Sequence, residues 1–213
     1  MPQSPDITRF SRPSFRFFPP EFRTFSIVRR WSVVRTIQDD FLSNHSFYVT
    51  FYAHQIASML MWQGPLDLLM LYALLHDADE LITGDVVAPV KRNIVDEKRS
   101  REYVDEHMQR RLSTVAESLK QCKLHERWKE IEAIVKTADR LDACLFLTVD
   151  QRLGNTIIDN RREDVYDQAK IAWSYMCGIL RTSRMDRPTM QAMWEKVMDP
   201  EISWHKDLGG DGV

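Results

Sequence analysis

Residues 66–80 read LDLLMLYALLHDADE, an almost entirely apolar run that ends in a cluster of imidazole and carboxylate side chains. A run that is apolar on nearly every side predicts a buried, central helix, from Leu66 to about Leu81. It is too short to span a bilayer. Burying carboxylates without partners is costly, whereas a divalent metal compensates several acids and imidazoles at once. Metal ligation is therefore the interpretation we favour for His76 and Asp77.

A Gly-Pro pair at 64–65 separates this helix from a longer one before it, since Gly commonly ends helices and Pro commonly starts them. The earlier helix is predicted to begin at a Ser43 or Asn44 cap and to run to about position 62. Two helices joined by a tight turn run antiparallel, so the start of the first lies beside the end of the second. The sequence therefore predicts that His45 lies near His76.

A further acid lies on a later helix, predicted from Glu126 to Val149 by apolar residues at helical spacing. Asp139 falls on its mainly apolar face. Two histidines and two aspartates form a mixed nitrogen and oxygen ligand set, which suits Zn, Mn, Fe or Co better than Ca or Mg. Such ions acidify a bound water and polarise a phosphoryl oxygen. The sequence thus predicts hydrolysis of a phosphate ester.

The rest of the chain is also predicted to be helical or extended. Prolines and phenylalanines before position 25 predict an extended arm. Further helices are predicted near Phe25 to Val34, from about Asp96 to Leu119, from Val165 to Leu180, and after Pro188. The predicted organisation is an N-terminal arm at 1–24, an all-α helical domain at 25–185, and a C-terminal helix and tail at 186–213.

Composition excludes several classes of protein. Only 7 Gly and 9 Pro in 213 residues disfavour an all-β fold, with its many tight turns. A net charge of −2 argues against nucleic acid or an anionic membrane as a partner. The 3 cysteines contain no CxxC pair, and the N-terminus lacks the apolar run of a signal peptide. We therefore expect a soluble protein of the reducing cytoplasm.

Short motifs in a fixed order resemble those of the HD-domain phosphohydrolases, whose signature is H…HD…D, and in particular their bacterial 5′-deoxynucleotidase (YfbR-like) branch. The motifs are Arg30-Trp31-Ser32, Asn44-His45-Ser46, His76-Asp77-Ala78-Asp79-Glu80, Thr83-Gly84-Asp85 with Pro89-Val90-Lys91, and Lys136-Thr137-Ala138-Asp139. A bare His-Asp dipeptide occurs by chance, but an ordered set with compatible spacing is specific. The resemblance covers roughly residues 27–180 and implies an all-α HD-domain bundle.

The resemblance implies a role for each matching residue. The implied ligands of a divalent transition metal (Co, Mn, Zn or Fe) are His45, His76, Asp77 and Asp139. Glu80 would orient or deprotonate the attacking water, and Asp85 would bind the sugar or assist catalysis. Arg30 would neutralise phosphate, with Lys91 as a further candidate, and Trp31 would exclude a 2′-hydroxyl. The implied activity is that of a 5′-deoxynucleotidase on a small deoxynucleotide, in a dimer or larger homo-oligomer.

Other functions stay open at this point. The chain departs from that branch at Asn44, where Glu is common, and in its basic 91–111 segment and terminal extensions. Similar phage proteins remove triphosphate from dATP, and a cationic cluster could serve a longer phosphate tail: Arg29, Arg30, Arg35, Lys91 and Arg92. A non-catalytic nucleotide sensor is a third alternative, although such a protein has no need of Glu80. Asp142 is interpreted as a solvent-exposed or outer acid rather than a ligand.

Overall fold

The computed structural model describes residues 20–85 and 97–180, and this part of the chain is built from helices and loops, with one isolated antiparallel bridge between Arg29 and Phe41. The α-helices are α1 (Leu42–Met59), α2 (Leu66–Leu75), α3 (Glu80–Thr83), α4 (Glu97–Arg111), α5 (Ser113–Leu124), α6 (Trp128–Arg152) and α7 (Asp159–Leu180). Short 3-10 helices span Pro20–Ser26 and Thr156–Ile158. The predicted all-α fold is confirmed.

The main core is formed by α1, α2, α6 and α7. Buried residues from all four helices meet there, including Val49, Leu69, Ile134 and Trp173. The helix α2 packs on α1, α5 and α6, which agrees with its predicted central position. It is not buried on every side, however, because Leu66 and Met70 remain exposed. The prediction from the apolar run therefore gave this helix more burial than the structure shows.

The helical hairpin of α1 and α2 has the predicted antiparallel arrangement. Its turn contains Met61 in a left-handed conformation (φ 49°) and Gly64. A Cβ atom at position 64 would lie 2.0 Å from the indole of Trp62, so only glycine at this position leaves room for the indole. The hairpin brings the first turn of α1 beside the end of α2.

The segment before α1 differs from the prediction. The helix expected at Phe25 to Val34 is absent, and residues 27–41 form a loop in which Trp31 has a φ of 60°. Neither Ser43 nor Asn44 caps α1, which begins at Leu42 without a side-chain cap. The Leu42 N–H instead donates to the Val28 carbonyl (2.9 Å). A backbone hydrogen bond from outside the helix, which local sequence rules do not predict, therefore satisfies an N–H group at this helix end.

Several other helix boundaries also shift. The predicted helix from Asp96 to Leu119 is two helices that break at Leu112, whose side chain is buried with Met108 and Val115. The α6 helix extends to Arg152, and near its end Val149 is exposed while Asp150 is buried. The α7 helix starts at Asp159, not at Val165.

Some predicted features lie outside the described residues: most of the N-terminal arm, Lys91, and the helix expected after Pro188. The predicted division into arm, domain and tail stays a prediction for the same reason. Among the described helices, none combines the length and apolar character needed to cross a membrane.

Candidate metal centre

Four side chains from three parts of the fold converge on one point. His45 lies in the first turn of α1, His76 and Asp77 lie in the turn after α2, and Asp139 lies near the middle of α6. One donor atom from each residue lies within 4.8 Å of the others. We call this set of four residues the His-Asp cluster. It contains the same residues that the sequence analysis selected as metal ligands.

The distances within the His-Asp cluster suit a small divalent ion. The Nε2 atoms of His45 and His76 are 3.3 Å apart. The Nε2 of His45 lies 3.5 Å from Asp77 Oδ2 and 3.4 Å from Asp139 Oδ1. Ligand atoms about 2.0–2.1 Å from one ion in a tetrahedron lie about 3.3–3.4 Å from each other. These separations therefore fit ligands that share one ion.

Both histidines are held with Nε2 facing the centre. The Nδ1 of His76 donates to the Ala73 carbonyl at 2.7 Å, and the Nδ1 of His45 donates to Asp142 Oδ2 at 2.7 Å. Because these acceptors require a proton on each Nδ1, the neutral rings direct their Nε2 lone pairs toward each other. Two lone pairs at 3.3 Å repel unless a cation lies between them. This donor chemistry fits a metal.

The electrostatics of the His-Asp cluster agree with a cation site. Burial and Arg30 oppose protonation of His45, but the carboxylates of Asp142, Asp77 and Asp139 outweigh them and raise its pKa to about 9. Burial would raise the pKa of Asp77, yet the two imidazoles and Arg30 hold it far below its ordinary value. Without a metal, the site therefore retains a proton on an imidazole that carboxylates surround.

Behind His45 lies a buried set of charged residues that the sequence analysis did not assemble. Arg30 Nη1 donates to Asp40 Oδ2 at 3.1 Å and lies 3.6 Å from Asp142 Oδ2. We call Arg30, Asp40 and Asp142 the arginine network. Asp142 is neither solvent-exposed nor within the His-Asp cluster, so it is an outer acid. Asp40 gave no local signal, because only the loop 27–41 brings it to Arg30.

The predicted sugar-binding residues occupy one side of this network. The ring of Trp31 stacks on Phe146, with centroids 5.8 Å apart and an interplanar angle of 10°. The neighbouring Ser32 N–H donates to Asp85 Oδ2 at 3.4 Å. Trp31 and Asp85, which are distant in sequence, are therefore joined through one loop. The structure therefore brings the loop that carries Arg30 and Trp31 into contact with Asp85.

Glu80 is the first residue of α3 and is only 5% exposed. The sequence analysis placed it in the same helix as His76, but α2 ends at Leu75 rather than at about Leu81. The Glu80 N–H donates to the Asp77 carbonyl at 3.0 Å, an i to i+3 bond that tightens the chain. Side chains three residues apart lie on the same face of such a turn. Glu80 therefore shares a face with Asp77 rather than with His76.

The structure describes three residues of the predicted cationic cluster, since Lys91 and Arg92 lie outside the described residues. Arg29 pairs with Asp39 at 2.7 Å, and Arg30 pairs with Asp40. Arg35 instead lines a separate surface cavity of about 230 Å³ with residues 36–37 and 154–157. Two of these arginines are therefore already matched by acids.

An all-α bundle that brings His, His-Asp and Asp to one centre defines a protein of the HD type. Residues 17–172 match the model of the YfbR-like 5′-deoxynucleotidase family. The chain belongs to this family.

Similar proteins include a 5′-deoxynucleotidase of Yersinia pestis (strain Pestoides F), which is 32% identical over 172 residues, 75% of this chain and 82% of that protein. A Yersinia pseudotuberculosis (serotype O:1b) 5′-deoxynucleotidase matches equally well. Among solved structures, the cyanophage S-2L HD phosphohydrolase DatZ, bound to dA and one catalytic Zn²⁺, covers 83% of this chain and 92% of its own, with a TM-score of 0.55 and 21% identity. A conserved hypothetical protein from Pyrococcus furiosus has a TM-score of 0.54 at 16% identity.

Proposed function

We propose that this protein is a metal-dependent 5′-deoxynucleotidase that converts deoxyribonucleoside monophosphates to deoxynucleosides and phosphate. The observation that carries the proposal is the convergence of the His-Asp cluster, with donor atoms within 4.8 Å of each other. Family membership and the names of the Yersinia relatives support the substrate class. The motifs at Arg30, Trp31 and Asp85 also support it, because the loop that carries Arg30 and Trp31 contacts Asp85 through the Ser32 N–H.

The metal would be held by His45, His76, Asp77 and Asp139. When bound, the ion would lower the pKa of a coordinated water and polarise a phosphoryl oxygen. The chain fixes the orientation of the ligands beforehand, because Ala73 and Asp142 hold the two Nδ1–H groups. Zn, Mn, Fe and Co are the candidates, because the ligand set mixes nitrogen and oxygen donors.

Glu80 would orient and deprotonate the water that attacks phosphorus. Its carboxylate is 5% exposed and follows Asp77 by one tight turn. A buried carboxylate only three residues from a proposed metal ligand is a candidate general base. The P–O5′ bond then breaks, and the departing 5′ oxygen takes up a proton. Asp85 would bind the sugar or assist this step.

Arg30 and Trp31 would recognise the nucleotide. Arg30 has five N–H donors, and its contact with Asp40 at 3.1 Å uses one Nη1 donor, so other donors remain for a phosphate. Trp31 is fixed against Phe146 and would present a rigid wall to C2′ of the sugar. Lys91 stays a further phosphate candidate. These assignments extend the motif resemblance residue by residue.

A monophosphate is favoured over a triphosphate by the state of the arginines. Recognition of a longer phosphate tail needs additional cations, but Arg29 is paired with Asp39 at 2.7 Å and Arg35 lies by another cavity. Two described arginines lie beside the His-Asp cluster, and both already contact a carboxylate: Arg30 Nη1 lies 3.6 Å from Asp142 Oδ2, and Arg140 Nε lies 3.8 Å from Asp139 Oδ2. One phosphate matches this arrangement better than three.

The assay that tests the proposal is incubation of the metal-loaded protein with dAMP, AMP and dATP, followed by product identification. Release of phosphate from dAMP, and much less from AMP, is expected. His76→Ala should lose both metal and activity. The control His54→Ala changes a histidine of α1 outside the His-Asp cluster, and it should lose neither. Tripolyphosphate from dATP would favour the triphosphohydrolase alternative, and no product with any of several metals would favour the sensor.

Assembly into a dimer or larger homo-oligomer is also part of the proposal. The α1 helix exposes Phe47, Tyr48 and Phe51, an apolar surface of the kind found at subunit contacts. Sedimentation equilibrium is the direct test, and a monomer at micromolar concentration would contradict this part alone.

A further inference from the structure

Asp142 makes a contact that distinguishes it from an ordinary buried acid. Its Oδ2 atom lies 2.7 Å from His45 Nδ1, and the side chains of both residues are almost completely inaccessible to solvent. The same oxygen lies 3.6 Å from Arg30 Nη1. The imidazole is therefore the closer of these two partners. His45 has its other nitrogen in the His-Asp cluster, 3.3 Å from His76.

We infer that Asp142 is a positioning residue for the metal centre: it holds His45 in the Nδ1–H tautomer, with Nε2 directed at the ion. Arg30 and Asp40 in turn hold Asp142 in place. The inference rests on the proposed metal-dependent function and deepens it. A carboxylate that accepts a hydrogen bond from a metal-bound imidazole fixes the ring and increases its basicity. Asp142 has the geometry for this role without being a ligand itself.

The arginine network explains why a carboxylate can occupy this buried position. An ionised Asp142 without a nearby cation would be strongly disfavoured. Arg30 supplies the positive charge, and its bond to Asp40 at 3.1 Å limits the rotation of the guanidinium. The same residue that is proposed to bind phosphate would thereby also support a metal ligand.

Another buried acid on α6 offers a matched control. Asp150 lies eight residues after Asp142, about 12 Å further along the helix axis. Its carboxylate accepts hydrogen bonds from the backbone N–H groups of Ile37 (2.8 Å) and Gln38 (3.2 Å), and it is not a member of the His-Asp cluster. If buried acids on α6 only stabilise the fold, changes at Asp142 and Asp150 should have similar consequences.

The experiment compares Asp142→Ala, Asp142→Asn and Asp150→Asn with the wild-type protein. Zn²⁺ affinity is measured by competition with a chromophoric chelator, and urea unfolding of the metal-free proteins is measured alongside. We expect Asp142→Ala to weaken Zn²⁺ binding about 10–100-fold. Asp142→Asn keeps an oxygen that can accept from Nδ1–H, so it should lose less. Asp150→Asn should lose stability but keep wild-type affinity, since distant sites act independently.

Zn²⁺ affinity that is unchanged in both Asp142 variants would overturn the inference, even if dAMP is still hydrolysed by the wild type. An equal loss of affinity in Asp150→Asn would also overturn it, because the effect would then be structural. Weakened binding at Asp142 in a protein that does not hydrolyse dAMP would support the inference and refute the proposed function. Should Asp142→Ala fail to fold, the Asn variant alone decides between these outcomes.

Discussion

Replacing Arg30 with Met should destabilise the protein far more than the same change at Arg29, although the two residues are neighbours in sequence. Each arginine pairs with an aspartate ten residues later, Arg29 with Asp39 at 2.7 Å and Arg30 with Asp40 at 3.1 Å. The pairs differ in burial. The side chains of Arg29 and Asp39 are 53% and 57% exposed, whereas those of Arg30 and Asp40 are 13% and 7% exposed.

This difference in burial sets the expected magnitudes. An exposed ion pair contributes about 0–1 kcal/mol, because water and salt screen it. Removing one member of a buried pair costs about 3–5 kcal/mol, since the remaining charge is left uncompensated. For a chain of this size, that corresponds to a fall in melting temperature of roughly 6–20 °C, against less than about 4 °C for the exposed pair.

The loss in Arg30→Met should depend on pH. Burial raises the pKa of Asp40, although Arg30 opposes that shift. Without Arg30 the pKa should rise further. A carboxyl group whose pKa is raised by folding stabilises the protein at low pH, and this stability is lost as the pH rises through the folded-state pKa. The variant should therefore be closer to the wild type at pH 5 than at pH 8.

Urea unfolding of the metal-free proteins at pH 5 and pH 8 measures these effects. The expected result is a large loss for Arg30→Met at pH 8, a smaller one at pH 5, and little change for Arg29→Met at either pH. Equal losses in the two variants would refute the reasoning from burial. A loss in Arg30→Met that does not change with pH would refute the part that assigns it to uncompensated carboxylates.

Further outcomes are expected at the proposed active site. Glu80→Gln should bind Zn²⁺ like the wild type but lose at least about 100-fold in kcat, as measured by metal content and phosphate release, and retained turnover would remove Glu80 from the mechanism. Trp31→Ala should narrow the preference for dAMP over AMP, and an unchanged ratio of kcat/KM values would exclude its role in sugar selection. Because the pKa of His45 is raised to about 9, the metal-free protein should lose stability as the pH rises from about 6.5 through 9. The Zn²⁺-loaded protein should not show this loss, and identical pH profiles of stability for the two forms would contradict the reasoning.

The sequence was sufficient to select the His-Asp cluster and the helices that carry it. The apolar run before His76, the Gly-Pro pair at 64–65 and the helical spacing around Asp139 are local signals. They predict an antiparallel hairpin and a later core helix, because helix periodicity and turn chemistry act within a few residues. The proximity of His45 to His76 followed from that hairpin alone.

Only the tertiary structure determined what surrounds these residues. The bridge between Arg29 and Phe41 replaced the expected side-chain cap of α1, and it brought Asp40 to Arg30. Asp142 could not be distinguished from an exposed acid until its contact with His45 was known, since the two are separated by 97 positions. Contacts of this range depend on how whole elements pack, and a spacing rule that covers one or two helical turns does not contain them.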